Sequence, residues 1–176
     1  MILYSQTLIS KANLTSLIKD AFLSPPWCED LSEEECQKRA TNILNKRAIQ
    51  CFSAEIAGRV VGVILTDTVA LEDLRQERGV DLYNWALKMQ WENIGWGRES
   101  LILREYQSMG IGSILREKVM DHIAQTRIYS GLLTRMRDDN IRVIKIAEKF
   151  GYIRTGVRVK SSLGENIWHE FWYKVF

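Results

Sequence analysis

Gln107, Gly110 and Gly112 lie in the stretch YQSMGIGSIL, residues 106–115, between a strand-like run and a helix-like one. Glycine weakens a helix by roughly 1 kcal/mol relative to alanine, and serine or aspartate is the ordinary choice at a helix start. Two glycines one residue apart at that place leave the backbone of the first turn open to something large. Its amides have no partner inside the helix and carry partial positive charge, so they suit an anion, phosphate above all. A lone Gly-x-Gly also simply marks a tight turn. Two longer phosphate motifs are excluded. No Lys-Ser or Lys-Thr follows Gly112, so this is not a P-loop, and Leu115 stands where a third Rossmann glycine belongs.

Other reactive side chains are fewer. Cys28, Cys36 and Cys51 are odd in number and form no CxxC pair, so neither zinc nor a disulfide framework is indicated. They read as idle thiols of a reducing compartment. His169 has the right pKa for a base, but it sits in an alternating strand, where it reads as packed or exposed. Asp138 and Asp139 precede a helix and suit its positive end. Glu29, Asp30, Glu33, Glu34 and Glu35 cluster before another helix; they either steer a cation or serve that helix start.

The elements that must position these residues follow from periodicity. Ile2–Leu8 reads as a strand, and Lys11–Phe22 as a helix through Leu14, Leu17, Ile18 and Ala21, ended by Pro25 and Pro26. Ser32 and Glu35 form a capping box for a helix expected to run to about Gln50. Cys51–Ile56 and Arg59–Val69 read as an antiparallel hairpin around Ala57-Gly58. Ala70–Gly97 reads as a helical insert in two pieces, broken at Gly79 and carrying Trp85, Trp91 and Trp96. Arg98–Leu103 is a short strand, Gly112–Gln125 a helix, and Ile128–Met136 a strand. Asp139 or Asn140 caps a helix ending at Phe150, with Gly151 as its stop. Tyr152–Lys160 alternates Ile153, Val157 and Val159 against Arg154, Arg158 and Lys160, and pairs with Ile167–Phe176 across Gly164-Glu165-Asn166. The expected fold class is α/β, a mixed and largely antiparallel sheet flanked by helices.

The 176 residues, 46% apolar and 26% charged, are expected to form one domain, 1–176, with a sizeable core. A formal charge of +2 is too mild to point to nucleic acid. No apolar run approaches a membrane span. The opening MILYSQTLIS lacks signal-peptide features, so a cytoplasmic location is expected.

Gln107-Ser108-Met109-Gly110-Ile111-Gly112 resembles the Gln/Arg-x-x-Gly-x-Gly/Ala signature of the GNAT superfamily of N-acetyltransferases. Asn140 to Tyr152, NIRVIKIAEKFGY, resembles the family's second block, an asparagine and an amphipathic helix ending in Glu-Lys-x-Gly-Phe/Tyr. The order of elements around the two blocks also agrees, over nearly the whole chain outside the insert. The resemblance implies an acetyltransferase fold using acetyl-CoA as cosubstrate. By similarity, the amides of Ser108, Met109, Gly110, Ile111, Gly112 and Ser113 wrap the pyrophosphate. Ser100, Leu101 and Ile102 offer backbone hydrogen bonds to the pantetheine arm and, at one amide, to the thioester carbonyl. Asn140 matches the family asparagine near the pantetheine; its alternative role is a plain helix cap.

Three departures concern proton transfer. The tyrosine that protonates the thiolate in many members is replaced by Ala147, the glutamate base of the ribosomal-protein acetyltransferases by Arg135, and the Asp-Pro before the signature by Leu103-Arg104. A thiol with a pKa of about 8.5 leaves with little help, whereas an alkylamine of pKa about 10.4 must lose a proton first. The base is therefore the part to find. Glu99, on the strand beside the implied thioester, is the candidate, with partnership to Arg98 or Arg135 as its bland alternative. Tyr106 and Tyr129 are further acids by type. The acceptor implied is a primary amine, on a small molecule, a lysine or a protein N-terminus. A CoA-binding module without transfer and a transferase acting on charged tRNA are the rival readings. Ala21-Phe22-Leu23-Ser24-Pro25-Pro26-Trp27 faintly resembles the Phe-Pro-Trp stretch near the start of the ribosomal-protein acetyltransferases, where the first-helix region and neighbouring loops wall the acceptor site. The three tryptophans of the insert suit a core face, an acceptor cap or a homodimer interface.

Overall fold

The computed structural model describes residues 1–91, 93–161 and 166–176, without the side chains of residues 77 and 78. Its seven strands, β1 (Ile2–Gln6), β2 (Gln50–Ile56), β3 (Arg59–Val69), β4 (Ile94–Ile102), β5 (Gly131–Arg137), β6 (Ile153–Lys160) and β7 (Trp168–Val175), form one mixed sheet in the order β1-β2-β3-β4-β5-β7-β6. The chain divides into two compact units. One comprises Met1–Asp67 with Arg98–His122, the other Thr68–Gly97 with Ile123–Phe176.

In the first unit, β1 (Ile2–Gln6) pairs antiparallel with β2 (Gln50–Ile56), and β2 with β3 (Arg59–Val69). Ala57 and Gly58 both have positive φ, 50° and 78°, the backbone a two-residue hairpin needs to match strand twist. α1 (Lys11–Phe22) starts at Ser10, whose side chain accepts from the Asn13 amide, and buries Leu14, Leu17, Ile18 and Phe22. α2 (Glu33–Leu44) carries the expected capping box between Ser32 and Glu35. It stops at Leu44, short of Gln50, because Asn45 closes it and Ala48 turns to a φ of 51° before β2 begins.

In the second unit, α3 (Leu71–Arg78) and α4 (Val80–Met89) break at Gly79, whose φ is 92°. The helical insert therefore ends at Met89. Residues 94–97 are strand, the first half of β4 (Ile94–Ile102), and pair in parallel with Gly131–Thr134 of β5 (Gly131–Arg137). Trp96 is a buried core residue, packed in one cluster with Val69, Leu74, Leu82, Ala86, Ile94, Leu133 and Phe171. Trp85 and Trp91 pack on that core and stack edgewise on each other and against Tyr173. The core-face reading of the three tryptophans is the one this packing supports. β5 runs antiparallel to β7 (Trp168–Val175), and β7 to β6 (Ile153–Lys160). The register of β6 slips between Arg154 and Arg158, at Gly156 with its φ of 80°, so Ile153 is exposed rather than inward-facing. The expected Gly164-Glu165 turn lies outside the described residues.

Gly95 is where the ring of buried Tyr129 lies flat on the strand: an added Cβ would fall 2.5 Å from Tyr129 Cδ2. Gly95→Ala should therefore destabilise the protein by about 1–3 kcal/mol, as overpacking does. A urea-unfolding midpoint equal to that of the unaltered chain would contradict this.

Candidate active site

The signature turn is built in three steps. β4 ends at Ile102, a single 3-10 turn covers Arg104–Tyr106, and α5 (Ile111–Thr126) begins after Gly110. Two anchors hold the turn to the α1 end of the first unit. Asp20 accepts from the Arg104 amide at 2.6 Å, and Gln107 Nε2 donates to the Ile102 carbonyl at 3.1 Å and the Ser24 hydroxyl at 3.4 Å. Gln107, which opens the signature, thus ties the end of β4 to the α1–α2 loop. Ile111 is buried and roots the first turn of α5 in the core.

Between these anchors the backbone turns twice through the left-handed region, at Ser108 (φ 65°) and Gly110 (φ 81°). Gly110 accepts from the amides of Ser113 at 3.0 Å and Ile114 at 3.1 Å and so closes the helix start. Among the described residues, the consecutive amides of Ser108, Met109, Gly110, Ile111 and Gly112 have no protein acceptor. A run of N–H groups in such a turn, at a helix N-terminus, is an anion-binding concavity. The two glycines serve different ends. Gly110 is required by its φ, with nothing within 4 Å of an added Cβ. Gly112 has no such φ, and its Cβ would meet only Ile102 Cγ1, at an ordinary 3.8 Å. The fold itself does not demand glycine at 112.

On the preceding strand, Leu101 is buried, Ile102 half-buried and Ser100 exposed. Arg98 makes a bidentate ion pair with Asp67 of β3, at 2.6 and 3.2 Å, both side chains nearly buried. Glu99 is half-buried, and its Oε1 lies 3.8 Å from Nε of Arg39 on α2. Arg39, on α2, is thus one partner of Glu99. The Arg39 guanidinium in turn sits 4.0 Å above the Phe22 ring. Neither Asp67 nor Arg39 was singled out by sequence. Asp67 had a signal: an aspartate within VVGVILTDTV, an otherwise apolar strand, needs a buried cation. Arg39 had none, because it lies on the polar side of an amphipathic helix. In the acidic cluster, Glu33 pairs with Lys19 at 3.5 Å and Glu35 holds the Ser32 cap, so part of that charge serves the helix start.

In the second unit, Asn140 caps α6 (Ile141–Lys149), accepting from the Val143 amide at 3.3 Å. Asp139 does not cap; its carboxylate forms a bidentate pair with buried Arg137, which holds its pKa below the ordinary value. Asp138 accepts from Arg158 and the Trp168 amide. Ala147, at the position of the family tyrosine, is buried and apolar, and Arg135 is exposed. Tyr129 is buried and Tyr106 half-buried. In the first unit, Cys36 and Cys51 are buried, the latter's thiol pushed up to about 11 by desolvation, while Cys28 is exposed.

His169 is buried, and desolvation, then the positive charges of Arg135 and Arg137, bring its pKa down to about 4 against the pull of Asp138 and Asp139. At neutral pH it is an uncharged, weakly basic ring. Unfolding restores its ordinary value near 6.5, so between these values the unfolded chain holds the extra proton and stability is lost as pH falls. Going from pH 7.5 to 5 should cost about 1–2 kcal/mol more in the unaltered chain than in His169→Gln, since Arg135 is exposed and screened. Equal losses in urea titrations of the two proteins would contradict this.

No helix among the described residues is long and apolar enough to cross a membrane. No curated protein sequence matches the chain. Solved structures do. The ribosomal-protein-S18-alanine N-acetyltransferase from Escherichia coli is 14% identical at a TM-score of 0.66, over 98% of this chain and 92% of that one. Ribosomal-protein-alanine N-acetyltransferase from Brucella melitensis is 16% identical at 0.67, over 99% of each. The NatC complex bound to Gag peptide and CoA is 16% identical at 0.63, over 99% and 98%. At such identities the likeness is one of fold. The profile of the acetyltransferase (GNAT) family, however, matches residues 13–152, a span that contains the five-amide turn, Glu99 and the Asn140 block. The chain therefore belongs to the GNAT family, acyltransferases whose acetyl donor is acetyl-CoA.

Proposed function

We propose that the chain is an N-acetyltransferase that passes the acetyl group directly to a primary amine, with both substrates bound together. The observation that carries this reading is the run of amides from Ser108 to Gly112, without protein acceptors among the described residues and ending on a glycine that packing does not require. That cradle fits a diphosphate. It would hold the cofactor's pyrophosphate, with Ser113 in the same turn and the backbone of Ser100, Leu101 and Ile102 along the pantetheine arm. Acetyl-CoA supplies a thioester carbonyl open to attack and a thiolate that leaves readily.

Every other role falls to side chains and backbone of this chain. An amide on β4 would polarise the thioester carbonyl, an effect worth several kcal/mol at other sites of acyl transfer. Glu99 would take the proton that the ammonium must shed before the amine attacks; as the new C–N bond forms, the C–S bond would break, the nitrogen's second proton would pass to solvent, and solvent would protonate the departing thiolate. Buried Ala147 offers no acid, and with a thiol pKa of about 8.5 little is lost by that.

The E. coli and Brucella enzymes are named for acetylation of alanine on a ribosomal protein, an amine acceptor of the same chemistry. A panel of amines, amino acids and peptides, scored by release of free thiol from acetyl-CoA, tests the reading. Thiol release with at least one amine is expected. None with any acceptor would leave a CoA-binding module in its place.

A further inference from the structure

Three features of the first unit converge on one acceptor chemistry. Gln107 hydrogen-bonds both the end of β4 and Ser24, so the α1–α2 loop is fastened directly to the signature turn. Phe22 and half-buried Trp27 flank that loop with their rings 5.1 Å apart, and Arg39 lies over Phe22. Arg39 then reaches Glu99 on the same strand that leads into the turn. The result is one carboxylate, on the strand that leads into the signature turn, and one guanidinium side by side, with side chains 21% and 35% exposed.

Their separation of 3.8 Å is at the outer limit of an ion pair, and a partly exposed pair of this kind contributes little to the fold. On the Arg39 side that contact can be exchanged at small cost for the carboxylate of a ligand. Guanidinium is the side chain best matched to a planar carboxylate, which it can grip with two parallel hydrogen bonds. The stacking of Arg39 on Phe22 holds that fork in place without using its N–H groups. An amine alone would satisfy Glu99 and leave Arg39 without its counter-ion.

We infer that the acceptor is an α-amino acid, its ammonium directed to Glu99 and its carboxylate gripped by Arg39. This rests on the proposed acetyl transfer and adds the substrate class. A peptide N-terminus, whose α-carboxylate is used up in the peptide bond, meets only half of the recognition. Arg39 is thus a specificity residue, while the proton moves from the amine to Glu99 as already described.

The test compares kcat/KM for glycine, alanine and phenylalanine with that for methylamine, ethylamine, phenethylamine and an alanyl tetrapeptide, by thiol release. Amino acids should be preferred to their matched amines. In Arg39→Gln the amino-acid-to-amine ratio should fall about 10- to 100-fold, mainly through KM, as expected when a charged hydrogen-bond partner is removed. Arg39→Lys, which keeps the charge but not the fork, should fall in between. Turnover of amines or the tetrapeptide with no preference for the carboxylate, or equal losses on both substrate classes in Arg39→Gln, would overturn the amino-acid assignment and leave acetyl transfer standing. Calorimetric silence with acetyl-CoA, together with no thiol release from any acceptor, would overturn both.

Discussion

Replacing Gly112 by glutamate is expected to raise the dissociation constant for CoA at least about 100-fold, or some 2.7 kcal/mol, without lowering the melting temperature. The two effects separate because the fold has no use for glycine at this position. Its φ is ordinary and an added Cβ meets only Ile102 Cγ1, at 3.8 Å. A carboxylate in the first turn of α5 improves the helix by about 0.3–1 kcal/mol through its dipole, on top of relieving glycine's propensity cost. The same carboxylate would occupy the mouth of the cradle proposed above for a diphosphate, the amides of Ser108 to Gly112. It opposes that ligand by charge and by bulk. Calorimetry with CoA and a thermal melt read the two quantities independently. A variant as stable as its parent and equally tight for CoA would show that the diphosphate lies elsewhere.

Glu99→Gln is the second large effect. If Glu99 takes the acceptor's proton, the variant should lose kcat by about 10²- to 10⁴-fold, the usual worth of a general base. Its affinity for acetyl-CoA should not change, because the amides of the turn are untouched. The loss should shrink as pH rises. At pH 7 freeing an alkylamine of pKa about 10.4 from its proton costs about 4–5 kcal/mol, and that cost falls as the solvent takes over the task. Glutamine keeps the size of the side chain and a hydrogen-bond acceptor toward Arg39, so a folding defect is not expected. An unchanged kcat, or a loss independent of pH, would remove Glu99 from proton transfer.

What the sequence made legible follows a physical division. Local chemistry was readable: the Ser32–Glu35 box, the Ala57-Gly58 hairpin, the full span of α1 and the break at Gly79 all appear where periodicity and caps placed them. The first half of β4 was not, because Gly95 and Gly97 dilute its strand pattern and their purpose is tertiary. Tyr129 lies on Gly95, and Thr134 crosses close to Gly97. The alternation read across β6 failed at Ile153 because the slip at Gly156 exists only once β7 is paired. The site divides likewise. Two blocks in register disclosed the turn and the Asn140 cap, since backbone conformation favours the residue type at Gly110 and at Asn140. The pairs Asp67–Arg98 and Glu99–Arg39 join residues 31 and 60 positions apart, and nothing local marks either partnership except the lone aspartate in an apolar strand.

The central claim is that the turn from Ser108 to Gly112 holds the pyrophosphate of CoA through its own amides. Titrating CoA into the ¹⁵N-labelled protein and following each backbone N–H tests it most directly. The largest shifts should fall on Ser108, Met109, Gly110, Ile111 and Gly112, saturate together, and be much smaller when pantetheine, which lacks the pyrophosphate, is added instead. Saturable shifts confined to other segments, or no shift at millimolar CoA, would contradict it.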